Sequence, residues 1–135
     1  MEFGGMNYLA ILAAAVAAFA FGAVYYTALS KPWIRAARLR REEMKMSPVP
    51  FVTSFVAELV MAWILAGVIG HLGVGQVTFW NGVISAAFIW VGFIATTIAV
   101  NHRYQGFGWD LTIIDALHWL GVTLIMGAII GWFGV

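Results

Sequence analysis

Four long apolar segments constrain the fold of this chain more than any other feature of its sequence. Only two formal charges, Glu58 and Asp115, fall inside them. A helix of about 20 residues, rising about 1.5 Å per residue, crosses the roughly 30 Å hydrocarbon core of a bilayer. The segments lack the alternation of membrane barrel strands, so their backbone groups are satisfied in lipid only as helices. The four segments, each 22 to 24 residues long, are Tyr8–Leu29, Phe51–Leu72, Val77–Val100 and Leu111–Phe133.

The fold class predicted from these segments is all-α. We expect a polytopic membrane protein with four transmembrane helices in a compact bundle, forming a single membrane domain over residues 1–135. Charged residues make up 10% of the chain, against roughly 25% in a soluble domain. This composition excludes a soluble globular protein and a disordered chain. The net charge of +1 excludes a basic nucleic-acid-binding protein, and the absence of cysteine excludes disulfides and thiolate metal sites.

The distribution of basic residues predicts the orientation. The loop 30–50 carries six of them, Lys31, Arg35, Arg38, Arg40, Arg41 and Lys45, whereas the turn 73–76 and both chain ends carry none. The positive-inside rule places this loop in the cytoplasm and both termini outside, in a bacterial inner membrane. If the natural chain starts at Met6, residues 1–5 are a leader or a remnant of expression.

The loop 30–50 is expected to contain a short interfacial helix. The run from Ser30 to Trp33, with proline near the first helical position, predicts a helix start, and we expect this helix to reach about Met46. Trp33 is interpreted as an interfacial anchor. Arg35, Arg38 and Arg41 are candidate contacts for anionic lipid headgroups. The alternative is that the basic residues only determine topology.

Small residues at four-residue spacing predict close helix packing in lipid. The rows are Ala10, Ala14, Ala18 and Gly22 in the first span, Gly82 and Ala86 in the third, and Gly127 and Gly131 in the last. Such rows on the first and last spans favour a homodimer or a larger homo-oligomer. The alternative is that packing within one chain uses all of them.

Polar residues of all four spans are predicted to lie near the cytoplasmic side. The cluster comprises Glu58, Asp115, His118, Tyr26, Thr97 and Asn101. From the cytoplasmic end of their spans, Glu58 and His118 lie about 10 Å deep and Asp115 about 6 Å deep. Asp115 and His118 are three residues apart and share a helix face, so the carboxylate can hydrogen-bond the imidazole and orient its tautomer.

Three interpretations of this cluster remain open. Ionisable groups inside a membrane are costly, which makes the cluster a candidate site for a ligand or a proton. Carboxylate and imidazole also suit a divalent metal such as zinc or manganese, with Glu58, Asp115 and His118 as the candidate ligands. Alternatively, the polar groups are interhelical hydrogen bonds that only hold the helices together. No motif indicates a cofactor.

Two stretches of the chain resemble a known family. The run MNYLAILAAAVAAFAFGAVYYTALSKPWIRAARL (Met6 to Leu39) and the run IIDALHWLGVTLIMGAIIGW (Ile113 to Trp132) resemble the domain-of-unknown-function 1761 family of small bacterial four-helix membrane proteins. The matching positions are Asn7, Gly22, Tyr26, Trp33, Asn101, Asp115, Gly127 and Trp132. The resemblance implies the topology and a membrane location, and it brings no established activity or ligand.

Two functions are compatible with the sequence. The first is transport or conduction of a small solute or ion through a polar pocket open to the cytoplasm. The second is a non-catalytic accessory protein in which the cluster only fixes the packing. We expect no enzyme, and a membrane-embedded metalloenzyme is the third interpretation.

Overall fold

A computed structural model describes residues 6–134. Within this range the chain is helical and contains no strand. The helices are α1 (Tyr8–Ala28), α2 (Ser30–Ala36), α3 (Val49–Gly70), α4 (Phe79–Tyr104) and α5 (Trp109–Phe133). Among these, α1, α3, α4 and α5 are long and apolar enough to cross a membrane. The predicted all-α fold with four candidate spans is therefore confirmed, and the predicted leader lies outside the described residues.

Local capping sets where α1 and α4 begin. The Asn7 side chain accepts a hydrogen bond from the backbone N–H of Ala10 at 3.0 Å. At α4, the Thr78 hydroxyl accepts one from the N–H of Asn81 at 3.2 Å. Each cap satisfies one of the backbone donors that the first turn of a helix leaves free.

The third span runs further than predicted. It was expected to end at Val100, but α4 continues to Tyr104 and includes Asn101 and His102. It ends where Gly106 adopts a φ of +79°, a left-handed conformation that glycine takes without steric penalty. A π-helical segment, Trp90–Ala95, interrupts α4 midway.

The loop helix is shorter than predicted. It was expected to reach Met46, but α2 ends at Ala36 because Arg38 turns the chain with a φ of +58°. The N–H of Arg38 bonds the carbonyl of Arg35 at 3.1 Å, and the N–H of Leu39 bonds that of Ile34 at 3.1 Å. This hydrogen-bond pattern closes a helix C-terminus, usually with glycine in the left-handed position. Nothing in the residue pattern marked Arg38 for that position.

Helix α5 is the centre of the bundle, with α1 and α4 packed against it and α3 packed mainly against α1. Gly82 of α4 and Gly127 of α5 bring their backbones into direct contact, since a Cβ on either would collide with the carbonyl of the other. Gly131 lies in the same way against the Thr78 carbonyl. Small residues here allow the backbone approach that drives helix association in lipid.

The small-residue rows pack against other helices of the same chain. Those of α4 and α5 face each other, and Ala10, Ala14 and Ala18 of α1 are 0% exposed. These rows therefore give no support to the expected homo-oligomer, which stays a prediction.

Replacing Gly82 with alanine is expected to lower the free energy of unfolding by about 1–3 kcal/mol, because the added methyl group overpacks the α4–α5 contact. Gly92→Ala is the matched control, since a Cβ there meets no atom within 4 Å. The control should leave stability unchanged or raise it by about 0.5–1 kcal/mol. Unfolding by SDS titration in mild detergent measures both, and equal stability of the two variants would contradict the close contact.

Candidate functional site

The predicted polar cluster separates into two parts in the structure. Asp115 accepts hydrogen bonds from Tyr26 and Trp33 and lies 3.7 Å from the His102 imidazole; these four residues are called here the Asp115 network. Glu58 and His118 are buried and each keeps one polar atom without a hydrogen-bond partner among the described residues. The two parts have different chemical capacities.

The Asp115 network connects α5 to three other helices. The Tyr26 hydroxyl donates to Asp115 Oδ1 at 2.7 Å, and the Trp33 indole N–H donates to the same oxygen at 3.2 Å. His102 Nε2 lies 3.7 Å from Asp115 Oδ2. The carboxylate of α5 thus binds donors from α1 and α2 and faces an imidazole of α4. This is the arrangement expected of polar groups that hold helices together.

Two members of this network, Trp33 and His102, were not among the predicted cluster residues. Trp33 was interpreted as an anchor in the lipid interface, yet its N–H points into the protein. His102 lies just beyond the predicted end of the third span at Val100, and the extension of α4 brings it to Asp115. Trp33 follows the end of α1 by one turn and a half of chain, and no spacing rule relates either residue to Asp115.

A second set of contacts lies next to the Asp115 network, at the link between α4 and α5. His102 Nδ1 is 3.0 Å from the Thr112 hydroxyl, and Arg103 Nη2 donates to the same hydroxyl at 2.6 Å and to the Gly108 carbonyl at 3.0 Å. The Arg103 guanidinium lies 3.7 Å from the centre of the Trp109 ring, a favourable cation–π distance. These contacts hold the short link in place.

Thr97 and Asn101, predicted for the cluster, do not join it. The Thr97 hydroxyl bonds the carbonyl of Phe93 on its own helix at 2.5 Å, and Asn101 is exposed. Both side chains lie on faces of α4 that are turned away from α5 in this half of the helix.

His118 occupies an aromatic enclosure. It is 6% exposed, its ring is stacked within 10° of Phe21, and the centres of Tyr26 and Trp119 lie 4.7 Å from it. A Cβ on Gly22 would lie 2.8 Å from Nε2, so the imidazole fills the space beside that glycine. Its Nδ1 is buried and has no hydrogen-bond partner within residues 6–134.

The predicted hydrogen bond between Asp115 and His118 is absent. Asp115 Oδ1 instead accepts from Tyr26 and Trp33, and no hydrogen bond of His118 is formed within residues 6–134. Sharing one helix face was therefore not sufficient, because donors from neighbouring helices compete for the same oxygen.

Glu58 is the most completely buried ionisable side chain in the described range. It is 2% exposed, and its Oε2 has no hydrogen-bond partner there. It lies on the face of α3 that also carries Ala62, Leu65 and Ile69, all buried in the apolar core. One turn earlier on the same face, Ser54 is exposed. On this face of α3, Glu58 is therefore the buried residue nearest to the loop 30–50.

A family model described as protein of unknown function (DUF1761) matches residues 9–131, nearly the whole chain. The chain belongs to the DUF1761 family. No curated protein and no solved structure matches it. Membership confirms the resemblance found in the sequence and supplies no activity.

Several positions that carried the resemblance have defined contacts in this DUF1761 protein. Tyr26 and Trp33 bind Asp115, Gly22 makes room for His118, and Gly127 touches Gly82. These contacts place the family-matching residues of α1, α2 and α5 around one end of the bundle and along the α4–α5 contact.

The predicted metal ligands do not converge in this DUF1761 protein. Among the described residues no three histidine, aspartate or glutamate side chains could hold a metal ion together. Glu58, Asp115 and His118 are therefore three separate positions rather than one ligand set.

The basic side chains of the loop are accessible. Arg35, Arg38 and Arg41 are exposed, and none of them pairs with a carboxylate in the described part of the chain. The Arg38 guanidinium lies 6.0 Å from the centre of the Phe107 ring. Binding of anionic lipid at these residues stays a prediction.

Proposed function

We propose that this protein is a non-enzymatic membrane protein that transports or conducts protons, with Glu58 as the charge-bearing site. One observation carries the proposal. The Glu58 carboxyl is almost fully buried between apolar helices, and its Oε2 has no hydrogen-bond partner within residues 6–134.

The energetic cost of burying its carboxyl distinguishes Glu58 from a packing residue. A charged side chain at the centre of a spanning helix costs on the order of 2.5–3.5 kcal/mol on insertion scales. A carboxyl that held helices together would recover part of this cost through interhelical hydrogen bonds, as Asp115 does. Since Glu58 Oε2 makes none with the described part of the chain, its charge has to be neutralised by a proton or by a bound cation.

The access route proposed for the ion leads to the end of the bundle that carries the basic loop. Glu58 lies nine residues after Val49, about 14 Å along the helix axis. On the same face but closer to the loop, Ser54 is exposed and Phe51 is 56% exposed. We propose that this end faces the cytoplasm of a bacterial cell, in keeping with the positive-inside rule.

A second candidate function, that of an accessory membrane protein, is favoured by the Asp115 network. Its carboxylate is bound by two donors and tied to three helices, which is a structural role in itself. The two candidates thus depend on different residues, and variants of those residues separate them.

Proton flux into proteoliposomes, reported by entrapped pyranine under a valinomycin potassium potential, tests the proposal. We expect the native protein to conduct above the level of protein-free liposomes. Glu58→Gln keeps the size of the side chain and removes its charge, so the flux should fall about tenfold or more. Glu42→Gln is the matched control, because Glu42 is exposed in the loop, and its flux should equal that of the native protein.

Two results would contradict transport. The first is native flux no greater than that of empty liposomes, which would favour the accessory function. The second is equal flux from Glu58→Gln and the native protein, which would remove Glu58 from the pathway.

A further inference from the structure

We propose that the link between α4 and α5, residues 105–108, binds the headgroup of one anionic phospholipid through the positive charges of Arg38 and Arg103. The acyl chains of this lipid lie along the exposed face of α5. The inference does not rest on the proposed role of Glu58.

The Arg103 guanidinium carries a charge that the described part of the chain does not compensate. Its Nη2 donates to two neutral oxygens, those of the Gly108 carbonyl and the Thr112 hydroxyl. Its Nε and Nη1 are buried and have no hydrogen-bond partner within residues 6–134, and it forms no ion pair in that range. Since a charge removed from water is stabilised by a nearby charge of opposite sign, Arg103 favours an anion beside the link.

Arg38 brings a second guanidinium to the same link. It is exposed, it lies 6.0 Å from the centre of the Phe107 ring, and it forms no ion pair among the described residues. The acidic residue next to the link in sequence is Asp110, whose Oδ1 accepts a hydrogen bond from the N–H of Leu111 at 2.9 Å. Two arginines and one aspartate leave this surface net positive. Arg38 is free to hydrogen-bond a phosphate, whereas Arg103 acts on it through its charge.

The exposed face of α5 supplies the apolar part of the site. Trp109, Ile113 and Leu117 are four residues apart, so they form one row along the helix, and they are 60%, 56% and 48% exposed. The row extends about 12 Å along the helix axis. The Arg103 guanidinium lies 3.7 Å from the centre of the Trp109 ring, at the loop end of the row. A headgroup beside Arg103 therefore has its acyl chains next to Ile113 and Leu117.

An anionic phospholipid matches both parts of the site. Exposed aromatic side chains such as Trp109 and Tyr104 are typical of the level of the headgroups in a membrane. Arginine is well suited to phosphate, because its planar guanidinium presents several donors to the phosphate oxygens. A zwitterionic headgroup carries a cation of its own, which the two arginines repel. A headgroup of net negative charge, such as phosphatidylglycerol, avoids this repulsion.

Lipid binding is measured by native mass spectrometry of the full protein in detergent, titrated with dioleoylphosphatidylglycerol at about 0.15 M salt. We expect one tightly bound lipid per chain and about tenfold weaker binding of dioleoylphosphatidylcholine. Glycerol 3-phosphate, which lacks acyl chains, should not compete at the concentration of the lipid.

Arg38→Gly should weaken binding of the anionic lipid about tenfold or more, because it removes the hydrogen bonds of a charged donor. It should not lower stability in SDS titration, since glycine adopts the φ of +58° found at this position without steric penalty. Arg103→Gln should weaken binding as well. Lys45→Gly is the matched control, because it removes one exposed basic residue from the same loop, and it should bind the lipid like the native protein.

Four outcomes would overturn the inference. They are no tightly bound lipid, equal affinity for the two phospholipids, equal weakening by Lys45→Gly and Arg38→Gly, and competition by glycerol 3-phosphate. Equal weakening would mean diffuse attraction to the whole basic loop, and competition would mean a site for a soluble phosphate ester. The binding assay involves no proton flux, so its outcome is independent of the test of transport.

Discussion

Replacing Asp115 with alanine is expected to lower the free energy of unfolding by about 2–4 kcal/mol. The change removes the acceptor of the Tyr26 hydroxyl and the Trp33 indole and the partner of His102. Hydrogen bonds to charged groups contribute about 1.5–3 kcal/mol each, and leaving their partly buried donors without partners adds to the cost. The measurement is the SDS-induced unfolding transition in mild detergent, followed by tryptophan fluorescence.

The control for Asp115 is Glu43→Ala, which removes a carboxylate from the exposed loop and should leave the transition unchanged. Tyr26→Phe removes one donor of the same network. Its effect should be smaller than that of Asp115→Ala, and the double variant should lose less than the sum of the two, since the pair shares one bond. An Asp115→Ala protein that unfolds with the native protein would exclude the network as a source of stability.

The opposite change in the free energy of unfolding is expected when Glu58 is replaced. Methionine has a similar length and no charge, so Glu58→Met should raise the free energy of unfolding by about 1–3 kcal/mol, because apolar replacements of buried charges are often stabilising. The same variant should lose the proton flux, since methionine carries no ionisable group. A site that is kept at the expense of stability is characteristic of function.

Glu42→Met provides the comparison for Glu58→Met, because it makes the same exchange on the exposed loop and should change neither stability nor flux. A loss of stability in Glu58→Met would mean that the carboxyl makes a stabilising contact, and the accessory function would then apply to Glu58 as well as to Asp115. The contrast in sign between Asp115 and Glu58 therefore tests whether the two parts of the site differ in role.

The candidate site shows which of its features residue spacing predicts and which it does not. The burial of Glu58 and His118 agrees with their position inside apolar spans, because an ionisable group in lipid faces the protein interior. The partner of Asp115 was predicted wrongly. A shared helix face predicts His118 as the partner. Donors from α1 and α2 bind Asp115 instead, and their position depends on how those helices pack.

The sequence by itself determined the number and type of the spans, since an uninterrupted apolar run of more than 20 residues has only one way to satisfy its backbone in lipid. It also identified the small-residue rows and the two charges inside the spans. Only the tertiary structure decided that those rows meet within one chain, that Asp115 is bonded while Glu58 Oε2 has no partner among residues 6–134, and that a groove opens between α3 and α4. The physical reason is that helix formation depends on neighbours along the chain, whereas packing partners depend on helix rotation and tilt, which a periodic pattern leaves open.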